Sequence, residues 1–273
     1  MIRRDIEPEA VTPEVAEREI GDGEERLEAL GRAERELVED TFRVLSISFS
    51  YMDGPDSIAR YLAARGYPDY GYVIFMNLGD LYLEKERYVD AAGAFEAFVE
   101  QDPWHPKAPL LQVEVIEAYK RGEFATLVLD GKKQFVERYG MDSVFWQRNP
   151  RESNTAVAAH LKENLNDLAR YYHAEAQKDE KPASYQEAAR WYRKYLDDFP
   201  GEPDSASTNF LLAEILFESR DYELATAEYE RTAYDYPPHE QAAAAGYAAI
   251  YAHRENLKAA TAARQLDLKQ AQA

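Results

Sequence analysis

Three stretches of the chain share one alternation of apolar and polar positions. They are residues 88–103 (YVDAAGAFEAFVEQDP), 185–200 (YQEAARWYRKYLDDFP) and 222–237 (YELATAEYERTAYDYP). In each, a Tyr opens a helix and a small residue follows three positions on: Ala91, Ala188, Ala225. An aromatic comes next (Phe95, Tyr192, Tyr229), and Pro closes the stretch. Spacings of three and four place these side chains on one helix face. Tyr88 and Tyr185 are 97 residues apart, as are Phe95 and Tyr192, and Pro103 and Pro200. Tyr185 and Tyr222 are 37 apart, and the other two columns keep that interval. A register held across three columns marks a helical repeat, and repeat arrays serve binding more than chemistry.

The rest of the chain follows the same periodicity. Residues 1–33 are charged. Two short candidate helices there, 14–19 and 24–33, offer only Leu27 and Leu30 to a core, so the segment is expected to be frayed or the remnant of an earlier repeat,. From Glu34 the pattern strengthens. Leu37, Phe42, Leu45, Ile47, Phe49 and Met52 predict a helix with a broad apolar face,. Asp53-Gly54-Pro55 ends it, and Asp56 is placed to cap a second helix that bears Ile58, Tyr61 and Leu62,. Residues 72–85 form the next helix, in which Phe75, Leu78 and Tyr82 share a face with Gly79. An interior Gly costs a helix roughly 1 kcal/mol against Ala and is tolerable where another helix must come close.

A weaker pair, 106–120 and 124–139, surrounds the turn at Gly122-Glu123. Residues 140–154 are an irregular insertion with Phe145, Trp146 and Pro150. A long helix, 155–177, then carries Val157, Leu161, Leu165, Leu168 and Tyr172. Asp204 is placed to cap the helix of Phe210, Leu211, Ala213, Ile215, Leu216 and Phe217. A last pair begins at His239, turns near Glu255-Asn256 and runs to about Gln270 as a polar capping helix. About six helix pairs therefore occupy residues 34–273.

Residues 72–103 resemble a tetratricopeptide repeat. The likeness rests on Leu78-Gly79, Tyr82, Phe75 at the first aromatic column, and Ala91, Phe95 and Pro103 of the second helix. The resemblance implies an all-α fold, a right-handed α-α superhelix (a solenoid) of antiparallel helix pairs. It also implies that the first helix of each pair lines a concave, partner-binding face. In the clearest repeat the lining would be Met76, Asn77, Asp80, Leu83 and Glu84. In the next it would be Gln112, Val113, Ile116, Tyr119 and Lys120, and farther on Phe210, Leu211, Glu214, Phe217 and Glu218. Such a groove suits a protein or peptide that carries basic residues beside apolar anchors. The aromatic-Pro steps Phe199-Pro200 and Tyr236-Pro237, with the small-residue helix 206–213, are similar to repeats of bacterial outer-membrane-associated and periplasmic proteins, which implies a role in the cell envelope.

Composition narrows the partners. The net charge is −19 and the pI about 4.7. That field repels phosphate backbones and anionic lipid, so nucleic acid is not an expected partner, and with no stretch of about 18 apolar residues direct membrane insertion is not expected either,. There are no cysteines, which removes disulfides, thiol catalysis and thiolate metal sites. The first twenty residues hold two early Arg but no apolar signal core, so the expected location is periplasmic or envelope-associated if a signal peptide has been removed, and cytoplasmic otherwise,. Among the histidines, His160 stands three residues from Glu163 on one helix, and a metal there would need ligands from other helices,. No phosphate-binding loop or nucleophile elbow is present, and neither a cofactor nor a catalytic residue is expected. Trp191 adjoins the aligned Tyr192 and must point elsewhere, which makes it a candidate contact. Trp104 and Trp146 lie in turns. The function expected is a non-enzymatic protein-binding scaffold; the alternatives are a self-assembling structural subunit and the docking domain of a larger enzyme complex.

Overall fold

The computed structural model describes residues 31–68 and 70–271. The expectations for residues 1–30 lie outside these. Among the described residues the regular structure is entirely helical: twelve α-helices and one 3-10 turn. No helix is long and apolar enough to cross a membrane. The chain divides into two compact units, one ending at Glu123 and the other beginning at Phe124.

The first unit holds α1 (Arg32–Ser50), α2 (Pro55–Ala63), α3 (Gly71–Glu84), α4 (Tyr88–Gln101) and α5 (Ala108–Arg121). The link 85–87 is too short for anything but an antiparallel return of α4 along α3. Phe75, Leu78, Ala91 and Phe95 all meet in this hairpin at 0% exposure. Gly79 explains the fit. A Cβ built on it would lie 2.3 Å from Cε1 of Phe95, so the aromatic ring rests on bare backbone. The close approach expected from the sequence is therefore present. Gly54 has a different task. Its φ of +57° turns the chain between α1 and α2, and a side chain there would also press on the Tyr82 hydroxyl,. That turn starts α2 at Pro55, so Asp56 sits inside the helix and does not cap it. The main neighbour of α1 is α3, with α2 packed on α3 and α4, so α1 and α2 do not form the simple pair expected.

The second unit holds α6 (Ala125–Tyr139), α7 (Val144–Arg148), a 3-10 turn (Arg151–Ser153), α8 (Thr155–Asp179), α9 (Pro182–Asp198), α10 (Ser205–Glu218), α11 (Tyr222–Tyr234) and α12 (Ala242–Ala271). From α8 onward each helix packs on the next. The aligned columns are interior here too: Ala188 and Ala225 are fully buried, and Tyr192 and Tyr229 are 2% and 5% exposed. The column of Gly79 continues 97 and 134 residues on as Ala176 and Ala213, both fully buried.

Several expectations are corrected. The helix of Tyr185 begins three residues earlier, at Pro182, whose fixed φ suits a first turn,. The stretch expected to be irregular holds a short helix and a 3-10 turn. Phe145 is fully buried between the rings of Tyr139 and Trp146, and Trp146 Nε1 donates to the Tyr139 carbonyl at 2.9 Å. Asp204 does not cap α10 through its side chain, because Lys162 Nζ holds its carboxylate at 2.9 Å. Trp191 is interior, 2% exposed, with Nε1 donating to Glu187 at 2.9 Å. Both α8 and α10 flank α9, so its buried face is wide enough to take in adjacent residues. The turn expected near Glu255-Asn256 does not form. Neither residue breaks a helix, Glu255 pairs with Lys258 at 2.6 Å, and α12 runs through,.

Three interhelix links share an unusual device. Glu86, Glu123 and Arg220 take left-handed backbone conformations, with φ of 57°, 60° and 66°. They stand 37 and 97 residues apart, the same intervals as the helix columns. A non-glycine residue pays roughly 1 kcal/mol or more there. Arg220→Gly is expected to raise stability by about 1 kcal/mol, a rise of roughly 2–4 °C in Tm for a chain of this size; calorimetry checks it. Gly79→Ala should cost roughly 1–3 kcal/mol through overpacking, and Phe95→Leu in the same chain should recover part of that loss in urea unfolding.

Candidate functional site

Helical spacing puts Asp80 and Glu84 on one side of α3, one turn apart. In the first unit that side faces α1, and the two helices enclose a groove of about 400 Å³. Asn77, Asp80, Leu81 and Glu84 form one wall; Glu39, Asp40, Arg43, Ser46 and Ile47 form the other. Four carboxylates thus stand against one guanidinium, with Ile47 and Leu81 as apolar floor. Burial pushes the Asp80 carboxyl above the usual carboxylate range, the neighbouring Glu84 pushes it further, and Arg121 opposes both. A carboxylate held at such a cost invites a cation.

Of the residues expected on this face, Asn77, Asp80 and Glu84 line the groove. Asn77 is half-buried and its Nδ2 donates to the Val73 carbonyl at 2.8 Å. Met76 is exposed and Leu83 half-buried, but neither lines it. The α5 set fares differently. Gln112 is 0% exposed and Ile116 3%, so both are interior and unavailable to a partner. They belong with Leu111 and Val115 to a buried α5 face, and α4 is that helix's main neighbour. Tyr119 and Val113 remain half-buried, and Lys120 is exposed and paired with Glu117. The α1 wall was missed in the sequence. Its signal was there: Glu39, Arg43 and Ile47 recur at intervals of four beside Asp40.

The second unit repeats the carboxylate pair. Glu214 and Glu218 follow Asp80 and Glu84 by 134 residues, the summed interval of the repeat columns. Burial again raises the Glu214 carboxyl, and Glu218 adds to it. The apolar residues around this pair serve the core as well as the surface. The Phe210 ring meets Tyr229 edge-on at 5.5 Å, and Phe217 lies 5.1 Å from Tyr222 and 5.6 Å from Tyr251. Both Phe side chains are half-buried, as is Leu211. Glu218 is tied to α8: Gln177 Nε2 donates to it at 2.9 Å, and His173 Nε2 lies 3.8 Å away. His173 Nδ1 is 2.9 Å from the Tyr192 hydroxyl. Burial lowers the His173 pKa against the pull of Glu218, so the imidazole is neutral at pH 7.

Among the described residues no three His, Asp or Glu side chains gather to hold a metal ion. His160 Nδ1 lies 3.9 Å from Glu163 with nothing further assembled around the pair. Models of known protein families give no match to the chain, and neither do curated proteins.

The electrostatics make a prediction about stability. A carboxyl whose folded pKa is raised binds its proton more tightly folded than unfolded. Stability then falls as pH rises from the ordinary value of 3.8 through the raised one, and the loss is complete at neutral pH,. Asp80→Asn is expected to raise the urea midpoint at pH 7 and to leave it near wild type at pH 3. A lower midpoint at pH 7 would mean that the carboxylate is already satisfied within the fold.

Proposed function

We propose that this chain is a tetratricopeptide-like scaffold. Its helix hairpins stack into a right-handed superhelix, and it binds a protein or peptide without catalysing a reaction. The observation that carries this reading is the α1–α3 groove, where Asp80 stands at raised pKa beside Glu84, Glu39 and Asp40 around an apolar floor. Residues selected for stability alone would not set like charges one turn apart beside a second pair of carboxylates. The same pair recurs in register at Glu214 and Glu218, on the first helix of another hairpin. A partner helix or extended segment with Lys or Arg beside Leu or an aromatic satisfies both parts of the groove: its cation relieves the carboxylates and its apolar side chain covers Ile47 and Leu81.

The test is charge reversal. Asp80→Lys with Glu84→Lys should weaken binding of a basic, apolar helical peptide by tenfold or more, about 1.4 kcal/mol, in isothermal titration. It should also strip partners from a pull-down out of the source extract. Glu100→Lys, on exposed surface elsewhere, serves as control. Titration and pull-down unchanged by the groove variant would sink the reading.

A further inference from the structure

The C-terminal helix presents a face that the groove reading does not use. Tyr247, Ile250, Tyr251 and Leu257 on α12 are 76%, 62%, 51% and 56% exposed. Their spacings put them on one stripe. The side of α12 that is buried consists of Ala245, Ala249 and Ala252, its main packing neighbour is α11, and the edge of the stripe at Tyr251 also meets Phe217 of α10. Large apolar side chains exposed singly are ordinary, but four in one stripe mark a contact surface.

The stripe is also basic. Between residues 247 and 264 stand Arg254, Lys258 and Arg264 against Glu255 alone, a net of +2 in a chain of −19. Arg254 lies one turn beyond Ile250 and Tyr251, and Lys258 adjoins Leu257. Two α12 helices laid face to face would set these cations against each other. The charge calls for an acidic counterpart with an apolar floor.

We propose that this face docks into the α1–α3 groove of a second copy of the chain. The inference rests on the groove reading above and names an occupant for it. Arg254 and Lys258 meet Asp80, Glu84, Glu39 and Asp40; Ile250 and Leu257 cover Ile47 and Leu81. Apolar anchors one and two turns apart, flanked by cations, are what a helix-binding groove of this chemistry reads. The two patches differ, so the contact is heterologous. It does not close as a two-fold pair, and further copies add as concentration rises. Copies of charge −19 repel one another at long range, but salt at 0.15 M screens that repulsion beyond about 8 Å and spares the pairs at contact.

Sedimentation velocity of the full chain tests this. Over roughly 1 to 200 µM the average mass should climb above the 31.3 kDa monomer, with a dissociation constant on the order of 10 µM. Ile250→Glu with Leu257→Glu removes the donor face at exposed positions, and Asp80→Lys with Glu84→Lys removes the groove; circular dichroism melts check that both variants fold. Each variant alone should stay monomeric. Mixed, they should form a one-to-one pair and nothing larger, because each keeps one intact face. A wild-type chain monomeric throughout overturns the proposal. So do a mixture that fails to pair and a groove variant that associates by itself, which would mean that α12 packs on its own kind. A basic apolar peptide bound by a monomeric wild type, and lost in the groove variant, would keep the groove and discard self-association. Association indifferent to Asp80 and Glu84 would discard both.

Discussion

The ring of Phe95 lying on the backbone of Gly79 sets the spacing of the first unit's central hairpin. Helices that pack through side chains on both sides sit 8–10 Å apart, roughly, with the distance set by what stands at the contact. At Gly79 one partner contributes none, so the Phe95 ring reaches the backbone of α3 directly. The same column carries Ala176 and Ala213, one methyl larger and equally buried. Phe75, Leu78 and Ala91 lie in the same hairpin at zero exposure. The hairpin is thus determined by one small residue on its first helix and one ring on its second.

That division leaves the far side of α3 free for other work. The core takes the side that meets α4, and Asp80 and Glu84 occupy the side that meets α1. Nothing in the packing requires carboxylates there, and the raised Asp80 pKa shows that the fold tolerates them at a cost. Glu214 reproduces the situation with a different framework, since Glu218 beside it is already engaged by Gln177. The first pair is therefore open to a cation from outside, while the second is partly satisfied from within.

Much of this was legible in the sequence, and for a definite reason. Columns such as Ala91/Ala188/Ala225 repeat because each hairpin solves the same packing problem, and repetition is visible without a structure. The tight crossing at Gly79 was legible because glycine inside a helix needs a cause. What escaped was whatever depends on how many neighbours a helix has. Trp191 looked outward beside Tyr192, but α9 is flanked on two sides and buries both. Gln112 was placed on the partner-binding face by the repeat resemblance, yet it lies on the buried face of α5. The α1 wall of the groove was hidden because α1 pairs with α3 and not with its sequence neighbour α2. The unbroken α12 was missed because a pattern of pairs led to a turn being expected where Glu255 and Asn256 had no reason to make one.

The left-handed residues at Glu86 and Arg220, each in the turn of a packed hairpin, bear on folding as well as on stability. An unfolded chain seldom visits that conformation at Glu or Arg: a cost of about 1 kcal/mol corresponds to a roughly fivefold lower population. The long helices on either side can form within a microsecond or so. Only the fraction of chains with the link in that conformation can close the hairpin, so each such turn lowers the share of productive helix encounters about fivefold. The turns thus make every encounter between helices less productive, and the buried face of each hairpin must offset that loss.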